Sequence, residues 1–256
     1  MWQTLNNKIR KAFTEAADQY DILASLHREI GRELVQKIIH LAKVTHILDV
    51  GCGTGYLTAK AKFYFPESDV TGMDFSEGML AKAKEKDESI HWICGDAHRL
   101  PFKDESMDVV ISNLAYQWVL DLSQAFQEVH RVLDKKGVLA ATLFGFYTCE
   151  ELFASLQAVG VAGPLNRLPL MEEIEGSLKQ AGFGQSHVDY ERIHIQFKDL
   201  WEVLTWLKAI GANVLSNGAF VGATSLEKAN AYCLKNYPYH NGIRITFEII
   251  WINAHA

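Results

Sequence analysis

The sequence predicts an α/β protein built on a mostly parallel β-sheet with helices on both faces. Three observations lead there. Between residues 45 and 144 short apolar runs alternate with stretches of helical periodicity, the pattern of parallel strands joined by crossover helices. The first run, Ile47-Leu48-Asp49-Val50, breaks into Gly51, Gly53 and Gly55, a strand-to-helix loop whose backbone can approach a ligand closely. Asp74 then stands 23 residues beyond Gly51 at the end of a second apolar run, where a carboxylate accepts hydrogen bonds from the ribose hydroxyls of a nucleoside-containing cofactor.

Element by element, residues 8–43 read as helical, with Asp21 and Gly31 as places for a break. Strands follow at 45–50, 69–74, 90–94, 107–112 and 137–143, with helices at 54–64, from Ser76 as N-cap to 85, and at 122–133. Beyond Phe144 the pattern changes: helices at 149–158 and 170–181 flank a loop holding Gly160, Gly163 and Pro164, and an alternating strand covers 186–197. Helices at 200–207 and 226–235 precede Tyr237-Pro238 and a last strand at 242–253. That makes seven strands in a single domain. It divides into an N-terminal helical lid (1–43), a cofactor-binding core (44–145), lid insertions around a sheet strand (146–240) and the last strand (241–256).

Bulk properties exclude several classes. The net charge of −6 argues against a general nucleic-acid binder, which needs a basic face. Cys52, Cys94, Cys149 and Cys233 are scattered without a Cys-x-x-Cys pair, which suits free thiols in a reducing compartment. The ten histidines include no His-Glu-x-x-His pair and no Cys/His cluster with zinc spacing, so no metal site is expected. Neither a Gly-x-Ser-x-Gly elbow nor a phosphate-binding Walker sequence is present. The first residues lack the apolar segment of a secretory signal, and the apolar run 138–147 is too short to span a bilayer. The expectation is a soluble, cytoplasmic protein without membrane contact.

Spacing narrows the cofactor. A dinucleotide loop needs its third glycine at position 56, where this chain has Tyr56. The pattern Asp49-x-Gly51-x-Gly53-x-Gly55 instead resembles motif I of the class I S-adenosylmethionine-dependent methyltransferases. That resemblance implies a Rossmann-like sheet with S-adenosyl-L-methionine as cofactor, Asp49 approaching its amino-acid end and Asp74 its ribose. In the loop Gly95-Asp96-Ala97, Asp96 can accept the adenine amino group and the Ala97 N–H can meet a ring nitrogen; alternatively Asp96 caps its own turn. Phe75 and Met79 can pack on the adenine face or belong to the core. At the end of the strand 107–112, Asn113, Tyr116 and Trp118 offer polar groups beside an apolar wall, facing cofactor and acceptor; Trp118 can equally pack on the following helix. Phe13 and Tyr20 are candidate lid residues, Phe13 with a competing core role. Tyr20, Asn113 and Trp118 are the candidate catalytic residues.

A closer resemblance covers almost the whole chain. Ala12-Phe13-Thr14-Glu15-Ala16-Ala17-Asp18-Gln19-Tyr20, Ser112-Asn113-Leu114-Ala115-Tyr116-Gln117-Trp118, Ser123-Gln124-Ala125-Phe126 and Leu207-Lys208-Ala209-Ile210-Gly211-Ala212 resemble the malonyl-acyl-carrier-protein O-methyltransferases of biotin synthesis. Between 146 and 199 the match is confined to Arg167 and 172–178. The resemblance implies esterification of the free carboxylate of a malonyl thioester on acyl carrier protein, with malonyl-coenzyme A as a second thioester to consider. Carboxyl methylation of the trans-aconitate type, quinone-type C-methylation and a silent cofactor-binding scaffold are the alternatives. An acidic enzyme meeting an acidic carrier needs a local basic patch, for which Lys8, Arg10, Lys11 and Lys208 are the candidates.

Overall fold

The alternation of strand and helix closes into one sheet. The structure is a computed structural model that describes residues 2–161, 168–212 and 222–256, with side chains from residue 6 onward. Its strands are β1 (His46–Val50), β2 (Asp69–Asp74), β3 (His91–Cys94), β4 (Met107–Asn113), β5 (Leu133–Phe144), β6 (Gln185–Phe197), β7 (Pro238–Tyr239) and β8 (Gly242–His255). They order as β3-β2-β1-β4-β5-β8-β6, with β7 paired to β8. The first five run parallel, and β8 enters antiparallel between β5 and β6. The chain reverses direction across the sheet between β1 and β4, so a crevice opens at their carboxyl ends.

Helices cover both faces. On one, α2 (Ser25–Gln36) and α3 (Tyr56–Tyr64) bury Leu34, Val35, Leu57 and Ala61 over β1, β2 and β4. On the other, α5 (Leu122–Val132) presents Phe126 and Val129 to the sheet, joined by Ile174 and Leu178 of α7 (Met171–Ala181). A third core gathers α6 (Glu150–Ala158), α8 (Leu200–Ala209) and α9 (Ala223–Asn236) against β6 and β8. The two remaining helices, α1 (Trp2–Leu23) and α4 (Glu77–Lys84), meet over the crevice.

Several expectations shift. The seven expected strands are present, and β7 adds an eighth of two residues where a loop was expected. The N-terminal helices break at Ala24, not at Asp21 or Gly31. Gly31 lies inside α2, where a Cβ would stand 3.2 Å from Asn113 Nδ2, so it serves close approach rather than termination. Strand β5 begins four residues before Gly137; its exposed Lys135 and Lys136 hid an extended backbone that pairs Leu133 with Met107 across an irregular register. The helix 170–181, read as part of a roof, packs on α5 in the main core because Ile174, Leu178 and Ala181 form an apolar stripe. Gly163, Pro164 and Arg167 lie outside the described residues.

Candidate active site

The glycine loop begins where β1 ends. The N–H groups of Gly51 and Cys52 both donate to the Met73 carbonyl, which ties the loop to the end of β2. Gly51 has φ +75°, and a Cβ there would overlap the Ala115 methyl, so this position needs glycine whether or not a ligand is bound. Gly55 also has positive φ, but its missing side chain makes room for the Trp92 ring and Ala83.

Two carboxylates stand beside this loop. Asp74 is buried; its Oδ2 accepts the Gly53 N–H at 2.9 Å and its Oδ1 the Ser76 N–H at 2.8 Å. Burial pushes its carboxyl up to about 6 in spite of those bonds. Asp49 is 1% exposed, and its Oδ2 accepts the Thr58 hydroxyl at 2.6 Å while Oδ1 has no partner among the described residues. Burial pushes Asp49 up to about 7, with the charge of Asp74 adding to the effect. A buried carboxylate oxygen without a donor is costly unless a ligand supplies one. The cationic ammonium of a cofactor's amino-acid end fits that requirement.

A cavity of about 850 Å³ extends from Gly51 and Gly53 past Asp74, Phe75 and Met79 to Asp96 and Ala97. Helix α1 crosses this cavity and is fastened to the core by polar contacts: the Thr14 and Ser76 hydroxyls at 2.9 Å, Thr54 donating to Asp21 at 2.5 Å, Lys82 with Asp18 at 2.9 Å and Lys86 with Asp21 at 2.6 Å. Phe13 reaches down from α1 to meet Trp118 edge-on at 5.3 Å and Phe75 at 6.3 Å. Beside the glycine loop a smaller niche holds Asp49, Arg28 and Thr54.

A second cavity, about 1470 Å³ and open at its mouth, adjoins the first. Phe13, Tyr20, Leu114 and Trp118 line both. Its walls are mainly apolar, from Leu152 and Leu156 of α6, Leu204 and Leu207 of α8, and Phe247 of β8, while exposed Lys208 lines it too. Tyr20 lines these two cavities and the niche. Its phenol is pushed up, first by burial and then by Asp74 and Asp21, so it stays protonated and acts as a donor.

The sequence-predicted residues fall as follows. Gly51, Gly53, Asp74, Phe75, Met79, Asp96, Ala97, Tyr20, Asn113 and Trp118 line the cofactor cavity. Asp49 lines the niche, and Gly55 lines neither, being enclosed by Trp92. Asp96 also caps its own turn: its Oδ1 accepts the His98 N–H at 2.9 Å and lies 2.7 Å from His98 Nδ1. The Asn113 amide is engaged at both ends, donating to the His27 carbonyl at 2.9 Å and accepting from Thr142 at 2.8 Å. It therefore braces α2 against β4 and β5. Sequence reasoning missed His27, Arg28, Gln117 and the chamber wall. For His27 a signal existed: Asn6, Phe13 and Tyr20 recur every seven residues along α1, His27 continues that spacing into α2, and all four line these cavities.

Fold and site together define a class I S-adenosylmethionine-dependent methyltransferase: a doubly wound sheet with a glycine loop after β1, an acid closing β2 and a cavity beside both. Residues 48–141 match the family described as "Methyltransferase domain". The YcgJ protein of Bacillus subtilis shares the fold, with a TM-score of 0.63 at 18% identity over 88% of this chain and 98% of that one. The "Malonyl-[acyl-carrier protein] O-methyltransferase" of Gallionella capsiferriformans (strain ES-2) is 33% identical over 96% of this chain and 89% of its own length. The "Biotin biosynthesis bifunctional protein BioHC" of Cellvibrio japonicus (strain Ueda107) is 31% identical over 96% of this chain and 49% of its own. This chain belongs to the malonyl-[acyl-carrier protein] O-methyltransferase family.

Proposed function

We propose that the enzyme methylates the free carboxylate of malonyl-acyl-carrier protein, giving the methyl ester that primes pimeloyl synthesis for biotin. One observation carries the reading: the residues that line both cavities, Phe13, Tyr20, Leu114 and Trp118, include no carboxylate and no imidazole. Tyr20 is held protonated, and burial lowers His27 to about 4, too acidic to draw a proton from a phenol, amine or carbon acid. An acceptor that is already ionised at neutral pH needs no base, and a carboxylate is one.

S-adenosylmethionine supplies an electrophilic methyl on a sulfonium. The protein's own residues position and desolvate. Asp74 and Asp49 would hold the ribose and amino-acid ends, Phe75 and Met79 would pack against the adenine, and Phe13 and Trp118 would exclude water from the junction. The carboxylate oxygen forms the new bond to carbon, the electron pair of the breaking C–S bond stays on sulfur, and no proton moves. Alignment of this kind is worth ~7–11 kcal/mol. In this reading residues 1–43 form the lid and 44–145 hold the cofactor. Helices α6, α8 and α9 wall the acceptor chamber, and β8 closes the sheet. A cytoplasmic setting is part of the reading; the four free cysteines, three of them buried, suit a reducing compartment.

The mainly apolar wall of the chamber favours an acceptor on a long arm over a free tricarboxylate of the trans-aconitate type. The experiment is transfer of labelled methyl from S-adenosylmethionine to malonyl-acyl-carrier protein, with malonyl-coenzyme A, trans-aconitate and a quinone precursor in parallel. The proposal requires base-labile label on the malonyl thioester. Turnover of trans-aconitate or the quinone precursor alone would replace it.

A further inference from the structure

Two residues that line the acceptor chamber each carry a buried polar atom without a partner among the described residues, His27 Nδ1 and Gln117 Oε1. A buried polar atom destabilises the fold unless something meets it. Resting on the carboxylate reading above, we propose that His27 holds the acceptor: its ring N–H donates to the free carboxylate beside the Tyr20 hydroxyl, while Gln117 faces the arm that carries the thioester.

The polarity of the two atoms fixes this direction. Gln117 Nε2 donates to the Leu114 carbonyl at 2.7 Å, so the atom left over is an acceptor. A carboxylate offers only acceptors and is repelled there. An amide N–H satisfies it, and the arm of a carrier-bound thioester has one two methylenes from its sulfur. The neutral imidazole of His27 does offer a donor. Burial and neighbouring Arg28 keep the ring uncharged at neutral pH. The ring is also fixed in place: Tyr20 and Phe144 meet it edge-on, each at 5.8 Å, and Asn113 holds its backbone carbonyl. His27 lines both the chamber and the niche of Asp49 and Gly51, the side from which methyl transfer would occur.

A neutral donor also suits the chemistry. A charged partner would stabilise the ionised acceptor more than the transition state, in which the oxygen has lost part of its charge. A single neutral hydrogen bond orients the oxygen and leaves it nucleophilic.

The test uses the full chain with His27→Phe and His27→Gln, the second keeping an N–H donor at similar reach. His27→Phe is expected to raise KM for malonyl-acyl-carrier protein by about tenfold, the loss of one hydrogen bond to a charged group. S-adenosylmethionine affinity by calorimetry should stay within about twofold, and His27→Gln should recover most of the KM. Unchanged KM in His27→Phe, or equal damage by both variants together with weaker cofactor binding, overturns the assignment. A second readout needs no turnover: malonate titrated into protein saturated with S-adenosylhomocysteine should shift the His27 ring ¹⁵N resonances. No shift at saturating malonate overturns the contact even in an active enzyme. A shift without methylation of any malonyl thioester sinks the function reading and upholds the carboxylate contact.

Discussion

Replacing Asp49 by asparagine should make the cofactor-free protein more stable at alkaline pH while removing its cofactor affinity. Burial raises the Asp49 carboxyl from the ordinary 3.8 to about 7. The unfolded group ionises near pH 4 and the folded one near 7, so the folded protein retains a proton that the unfolded chain releases. The associated stability is present in acid and lost as pH rises through 7. At ~1.4 kcal/mol per pH unit the penalty reaches ~4 kcal/mol at pH 8. Asparagine removes it, since its oxygen can still accept the Thr58 hydroxyl. Its Nδ2, standing where Oδ1 has no partner, costs ~1–3 kcal/mol in return. The net gain is ~1–3 kcal/mol, at ~2–4 °C in Tm per kcal/mol for a chain of this size. At pH 5 the unfolded carboxyl is ionised and the folded one protonated, so the penalty is only ~1.6 kcal/mol and is offset by the cost of the Asn amide; the gain should shrink to about zero. Loss of the charge opposite the cofactor's ammonium should weaken S-adenosylmethionine by ~2–3 kcal/mol, or roughly 30–150-fold. Thermal melts at pH 5 and 8, with and without cofactor, together with calorimetry, measure both effects. A variant that melts lower than the parent at pH 8 and binds cofactor normally would refute the placement of Asp49 as a strained ligand-facing acid.

Asp74→Ala should weaken S-adenosylmethionine by ~2–3 kcal/mol, because paired bonds to a charged acceptor are lost; normal affinity in a folded variant would remove Asp74 from the site. Tyr20→Phe should lower kcat about tenfold with cofactor Kd nearly unchanged, since one hydroxyl donor is lost at the junction; a fully active enzyme lacking residues 1–20 would disprove the lid. Lys8, Arg10 and Lys11 are exposed on α1, and only Lys11 among them has an ion pair among the described residues, with Glu15 at 3.7 Å. Reversing all three to Glu should raise KM for malonyl-acyl-carrier protein and leave malonyl-coenzyme A nearly unaffected, and added salt should weaken only the carrier reaction in the parent. Equal effects on both substrates would put the docking surface elsewhere.

The sequence by itself determined the sheet, the loop and the acids. Those features are local: strand–helix periodicity, a glycine triplet after Asp49, and Asp74 and Asp96 closing the next two strands all lie within a few residues of what they position. Whole-chain resemblance added the family. Tertiary structure decided what each residue faces. Gly51 and Gly55 read alike in the chain, yet one adjoins the cofactor cavity and the other a tryptophan ring, because Trp92 arrives from β3. Asn113 read as a free polar group, but residues 86 and 29 positions away engage both ends of its amide. The acceptor chamber was beyond the reach of local pattern, since α6, α8 and β8 are separated by long stretches of chain and become one wall only when β8 inserts between β5 and β6. Apolar side chains that line a cavity and those that fill a core obey the same periodicity, and only the packing of distant elements tells them apart.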